Sequence, residues 1–285
     1  MIIIFTRNPL TARILSFRME QKAIINNNLY SMGVMMKKLI GYFISLGLCL
    51  VSGQLSYAQD ITINSNTIWQ AGTYTYDNVL VTNGATLTFN GAVTLNAGSL
   101  TIDPASAISA DGKGFLGGYG AAGQGPGGGL IGYYGSGAGY GGKGGPSYVA
   151  AGATYGSALK PVDLGSGGGY SRGSEYLHAG GGSGGGAIIL NIQNSLTLNG
   201  AISANGGNGL NSDWVVGGGG SGGSIYVVAK NLIGSGIVSA NGGKGTSAGG
   251  GGRIAVYYQS SAFAGRAEAK GGIGAKPQWN GEDGT

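Results

Sequence analysis

Ten carboxylates lie beyond residue 58: Asp60, Asp77, Asp103, Asp111, Asp163, Glu175, Asp213, Glu268, Glu282 and Asp283. Glycoside hydrolysis by paired acids needs two of them within several ångströms, and a calcium cage needs several oxygens at once. Their scatter along the chain argues against both, and the nonapeptide Gly/Asp calcium repeat is missing. His178 is the single histidine. A triad would need it beside a nucleophile and an acid on a strand–turn–helix elbow, and no stretch here has a helical pattern. Gly141–Gly145 and Gly242–Gly245 each hold a lysine among glycines, as phosphate loops do, but no Ser or Thr follows either lysine. The residues thus assign no catalytic group, no cofactor site and no metal ligand. Aromatic side chains with a polar edge remain. Tyr133, Tyr134, Tyr140, Tyr148, Tyr170, Tyr176 and Trp214 are candidates for stacking on sugar rings; the competing reading is that they pack over glycine-lined surface and order it.

The elements that must position these residues repeat. Gly186-Ala187-Ile188-Ile189-Leu190, Leu196-Thr197-Leu198 and Ile202-Ser203-Ala204-Asn205-Gly206 return as Gly223-Ser224-Ile225-Tyr226-Val227 and Ile237-Val238-Ser239-Ala240-Asn241-Gly242. They return again, worn, from Gly252 to Gly274. Each unit is an apolar β-rich run, a turn, a short second run and a glycine stretch. Such a unit cannot bury its apolar face alone, so copies must stack. The expected fold is all-β: a parallel β-helix, or β-solenoid, with long glycine-rich loop insertions.

Residues 59–111 form a first wall of coils. Apolar residues alternate in the pairs Val79/Val81, Leu87/Phe89, Val93/Leu95, Leu100/Ile102 and Ile108/Ala110. Between them stand turn signals at Asn83-Gly84, Asn90-Gly91, Ala97-Gly98 and Asp103-Pro104. An antiparallel sandwich also fits this stretch taken alone; the downstream repeats favour the parallel stack. Trp69, Tyr74 and Tyr76 precede the regular strands and read as a cap over the end of the core. Thr and Asn dominate the outward positions, where Asn can stack in ladders. The Thr spacing is too irregular for a flat ice-binding face.

Residues 112–185 interrupt the pattern with thirty glycines punctuated by tyrosines. They read as an excursion that leaves and rejoins the stack at one corner, marked by Asp111 before it and by Asn205 and Asn241 in later units. Long excursions of this kind carry function or are linkers. Glycine also permits extended left-handed strands, which admits a packed polyglycine layer, and regular tyrosines supply anchors that a linker lacks. The units resume over 186–285 and break off at Thr285 inside another repeat, so the sequence reads as part of a longer surface protein.

The chain opens with a different composition. Met36-Lys37-Lys38, the apolar run Leu39–Val51 and Ser56-Tyr57-Ala58 make a secretory signal peptide over 36–58, with cleavage after Ala58. A membrane anchor is the alternative, but the run is short and interrupted by Gly and Ser. Residues 1–35 precede the basic start and read as a non-native upstream extension, with translation beginning at Met35 or Met36. The formal charge of +5 belongs to residues 1–58; the remainder is balanced and has no basic field for nucleic acid. The one cysteine, Cys49, also lies in this leader, so the mature part forms no disulfide.

The runs Ser183–Leu190, Ser203–Gly207 and Gly249–Val256 resemble repeats of large glycine-rich bacterial secreted or surface proteins that form right-handed parallel β-helices of the pectate-lyase-like class. They are also similar, more faintly, to the Gly-Gly-Ala-Ile repeats of polymorphic outer-membrane autotransporters, although no C-terminal membrane barrel or sorting signal is present. The resemblance covers roughly residues 60–285. It implies a secreted or cell-surface structural, adhesin-like protein contacting extracellular polysaccharide or matrix, with no membrane span in the mature chain. The other activity borne by such scaffolds is that of a polysaccharide lyase or glycoside hydrolase. The resemblance is to a style of repeat and implies no oligomeric state.

Overall fold

A computed structural model describes residues 59–173, 178–212 and 215–285. The extension 1–35, the signal segment 36–58, Tyr176 and Trp214 lie outside the described residues.

Alternation governs the strands. In β1 (Ile61–Ile63), β2 (Thr67–Val81), β3 (Thr86–Ile102) and β4 (Ala107–Ser109), every second side chain in the regular stretches turns inward, and the five apolar pairs named above are all buried. Asn83-Gly84 is a true turn, with both residues at positive φ, and Ala105 plays the same part after Asp103-Pro104. Asn90-Gly91 and Ala97-Gly98 do not end a strand as expected. They are bends within β3, because hydrogen bonding to β2 continues past both. A Cβ on Gly98 would stand 2.5 Å from Asp77 O, so the bend is tight enough to require glycine.

The later repeats supply β5 (Ala187–Leu198), β6 (Ala201–Ser203), β9 (Ser224–Gly234), β10 (Ile237–Ser239), β11 (Arg253–Phe263) and β12 (Arg266–Glu268). Between β6 and β9 sits a small antiparallel pair, β7 (Asn211–Ser212) and β8 (Val215–Val216). All strands other than β7 and β8 join one ten-stranded sheet, every pairing in it is parallel, and the sheet is nearly closed on itself, like a barrel. Register aligns like with like. Val93 pairs with Ile188, Ile188 with Ile225 and Ile225 with Ile254; Leu87 pairs with Ile108, Ile108 with Ile202 and Ile202 with Val238. These rows, about 4.8 Å apart, fill a single apolar core. Beside β2, Trp69 stacks on Tyr74, Tyr76 and Phe89 with centroids 4.4–5.7 Å apart.

The corner residues form a ladder. Asp111 Oδ1 accepts the Asn205 N–H at 2.6 Å, Asn205 Oδ1 accepts the Asn241 N–H at 2.8 Å, and Asn241 Oδ1 accepts the Lys270 N–H at 2.8 Å. One corner, repeated at each level, is thus sealed by side chains that satisfy the backbone where the chain leaves the sheet.

Beyond that corner the glycine runs pack against one another. Segment 217–223 is their centre. Gly217, Gly220 and Gly223 donate N–H bonds to Leu210, Gly207 and Ala204; Gly218 and Ser221 donate to Gly169 and Ser166; Gly219 and Gly222 donate to Ser247 and Gly250. Donors three residues apart therefore face one neighbour, the period of a polyproline-II helix, which makes no internal hydrogen bonds. No residue of 217–223 has a positive φ. Its carbonyls in turn accept from Gly182, Gly185, Gly243 and Ala138. Six neighbouring segments surround it: 135–142, 165–170, 180–186, 204–210, 240–245 and 246–252.

Backbones approach so closely that side chains are excluded. A Cβ on Gly220 would stand 2.1 Å from Ser183 O, and one on Gly249 would stand 1.9 Å from Gly220 O. Between the glycines stand buried alanines, and serines whose hydroxyls join the network: Ser166 Oγ accepts from Gly127, Ser221 Oγ from Ser166 and Ser171 Oγ from Gly135. Residues 112–173 and 178–185 are therefore neither a free loop nor a linker. They pack into a glycine bundle completed by 204–212, 215–223, 240–252 and 269–285; each run leaves after a short strand of one corner, and those following β4, β6 and β10 rejoin the sheet at β5, β9 and β11.

Candidate functional site

The bundle has two ends. The near end joins the sheet where β5, β9 and β11 begin. At the far end the chain reverses, and bonds tie the reversals together. Gly173 N–H donates to Tyr133 O, Ser147 Oγ to Tyr134 O, Ser171 Oγ and Thr246 Oγ1 to Val216 O, and Ala275 N–H to Thr246 O.

Aromatic residues gather on this far edge. Tyr134 is the hub: its ring lies 4.9 Å from Tyr133, 5.8 Å from Tyr148 and 5.6 Å from Trp279. Trp279 is buried under the group and carries Lys276 Nζ 4.5 Å above its ring. Tyr133 and Tyr148 present their outer surfaces to solvent, at 54% and 73% exposure. A second group stands beside it, with Tyr119 (86% exposed) 5.9 Å from Tyr170, which also stacks on His178 at 5.8 Å. Leu130, Leu210 and Ile273 add exposed apolar surface.

The candidate residues thus separate by position. Tyr133, Tyr134 and Tyr148 come together. Tyr170 is largely covered and supports Tyr119. Tyr140 belongs elsewhere: it is wholly buried at the near end and has no surface for a sugar. Tyr119 and Trp279 were missed as site residues because neither differs in local sequence from the other loop aromatics. Trp279 lies over a hundred residues from Tyr134 and meets it only through the packing of segment 274–280 in the bundle.

At the near end Tyr140 and Tyr155 pack ring on ring at 4.7 Å. Tyr140 Oη shares a hydrogen bond with Ser224 Oγ, Tyr155 Oη donates to Leu164 O and bonds Ser166 Oγ, and Arg253 spans both residues. Arg253, the first residue of β11, is 8% exposed and caps the Tyr155 and Tyr140 carbonyls. Burial raises both phenols above the ordinary tyrosine value, more than the hydroxyl bonds lower them. The sign for stability follows. Above about pH 10 the unfolded chain releases phenolic protons that the folded chain keeps, so this contribution is intact below that pH and is lost as pH rises toward the folded values. In an alkaline titration followed at 295 nm, two tyrosines are expected to stay un-ionised until the far-ultraviolet circular dichroism collapses. Complete ionisation with the fold intact would contradict the burial.

The motifs that resemble chemistry are accounted for by packing. Gly141 and Gly142 N–H groups both donate to Gly251 O, Gly242 donates to Lys270 O and Gly243 to Gly220 O, so the donors a phosphate would need are occupied. Among the described residues no three metal-ligating side chains converge, and the ion pairs are the surface contacts of Glu268 with Arg266 and Lys270. No helix of the described residues is long and apolar enough to cross a membrane. Comparison with protein families, with curated proteins and with solved structures finds no match.

Proposed function

We propose that the chain is a secreted or cell-surface display scaffold: a parallel β-helix, exported by the 36–58 signal segment, whose glycine bundle holds an adhesin-like aromatic edge against extracellular polysaccharide or matrix. The observation that carries this reading is the convergence of Tyr133, Tyr134, Tyr148 and Trp279 at the end of the bundle farthest from the sheet. Exposed rings whose backs are fixed by neighbouring rings lose little entropy on stacking against a pyranose face. The in-register apolar rows and the corner ladder support the β-helix, because both recur level by level as stacked repeats require.

A glycan array probed with the purified chain tests the reading, with reducing-sugar release measured on every glycan bound. Binding without release is expected, and Tyr148→Ala is expected to weaken it about tenfold, the equivalent of ~1.4 kcal/mol. Release of reducing ends would replace this reading with a lyase or hydrolase on the same scaffold. Binding untouched by Tyr148→Ala and Tyr133→Ala would remove the edge from the account.

A further inference from the structure

We propose that the bend between the two arms of β5, β9 and β11 is a second carbohydrate site, separate from the aromatic edge, and that it takes an anionic polysaccharide lying along the stacking axis. Each of these strands runs from the bundle junction, where Arg253 begins β11, to a bend about six residues on. There the pairing is irregular. Ile192 faces Ala229 and Ser195 faces Asn231, so the pair Gln193-Asn194 stands against Lys230 alone. Tyr258 faces Ala229 and Ser260 faces Asn231, which sets Gln259 beside Lys230. A bulge of this kind opens the strand and re-aims its side chains.

The result is a groove of about 480 Å³. Its apolar floor includes Val228, 37% exposed, beside Ile192 and Ala229, which face the core and are themselves buried. Tyr257 and Tyr258 of β11, 43% and 53% exposed, supply its phenolic lining. Gln193, Lys230 and Gln259 follow one another at successive levels, about 4.8 Å apart. None of these three side chains makes a hydrogen bond among the described residues, and Lys230 joins neither ion pair. An apolar floor, a phenol wall and a row of free amide and ammonium groups suit a hydroxylated ring polymer. The lining holds one cation and no carboxylate, which favours a polymer carrying negative charge.

Affinity electrophoresis of the full chain through carboxymethylcellulose and hydroxyethylcellulose tests this, since the two share a backbone and differ in charge. Stronger retardation by the anionic polymer is expected. Lys230→Gln should lower that retardation about three- to fivefold, the worth of one exposed ion pair, with little change in the neutral gel. Tyr258→Ser should weaken whatever binding the groove supplies, and Tyr148→Ala should leave the anionic preference intact. All three side chains are exposed, and unchanged melting temperatures confirm that each variant folds. Equal retardation of the native chain, Lys230→Gln and Tyr258→Ser overturns the proposal, as does retardation by neither polymer. Loss of the anionic preference in Tyr148→Ala transfers it to the far edge and also overturns the groove. Glycan-array binding that depends on Tyr148 would survive any of these failures, so the two sites fail separately.

Discussion

Gly220→Ala is expected to destabilise the protein by about 3 kcal/mol or more, lowering the melting temperature by roughly 6–12 °C. The added methyl would stand 2.1 Å from Ser183 O and 2.5 Å from its carbonyl carbon. Neither is the end of a flexible side chain; both belong to a backbone held by its own lattice bonds, since Gly207 donates to Ser183 O and Gly220 to Gly207 O. Separating the two segments stretches both bonds and those of the next helices. The control is Gly207→Ala, where the nearest atom is 3.2 Å away. There the change should fall within about 1 kcal/mol, and the reduced freedom of the unfolded chain offsets part of any cost. Thermal and urea unfolding of the two variants measures the contrast. Equal, small effects at both positions would mean that the bundle is not close-packed in solution.

Arg253→Met is expected to cost about 2–4 kcal/mol, with Arg253→Lys recovering less than half. Arg253 Nε donates to Tyr155 O at 3.0 Å, Nη1 to Thr285 Oγ1 at 3.0 Å and Nη2 to Tyr140 O at 3.5 Å, and the guanidinium carbon lies 5.4 Å from the Tyr140 ring centroid. This one planar cation ties β11 to the bundle through three acceptors and a ring. Methionine fills the space but satisfies none of them, and lysine offers a point charge that reaches one acceptor at a time. Loss of the cation by itself would raise both phenols further, since Arg253 lowers them in the native protein; the alkaline transition of Tyr140 and Tyr155 should nevertheless move to lower pH in Arg253→Met, because the less stable fold opens sooner and releases both phenols together. A variant with native unfolding free energy and an unmoved tyrosine transition would show that the junction does not depend on Arg253.

Much of the sheet was legible in the residues. Val93/Leu95 and Leu100/Ile102 name their own buried face because strand side chains alternate with a period of two. The equivalence of Asp111, Asn205 and Asn241 was visible as a recurring letter in a recurring phrase, and it became a ladder of side-chain-to-backbone bonds. Bends were less legible. Asn90-Gly91 and Ala97-Gly98 carry the same letters as a turn, and whether such a pair reverses the chain or merely bends it depends on whether the neighbouring strand continues past it.

The glycine-rich stretch shows where local reading stops. Composition permitted both a packed layer and a linker, with only the regular tyrosines speaking against the linker, because a polyproline-II helix bonds only to its neighbours and leaves no signature within its own sequence. The site residues follow the same division. The identity of the loop aromatics is written in the chain, but Tyr140 and Tyr148 look alike there. One is sealed at the near end against Arg253 and Ser224, and the other stands open at the far edge. Sequence by itself established the stacked units, the apolar face, the shared corner and the leader's composition, all of which rest on contacts between residues a fixed, short distance apart. Which tyrosines meet Trp279, which are buried and where Lys230 stands among its neighbours came from the packing of segments distant in sequence, since hydrogen bonds between separate glycine helices and stacked levels set those distances.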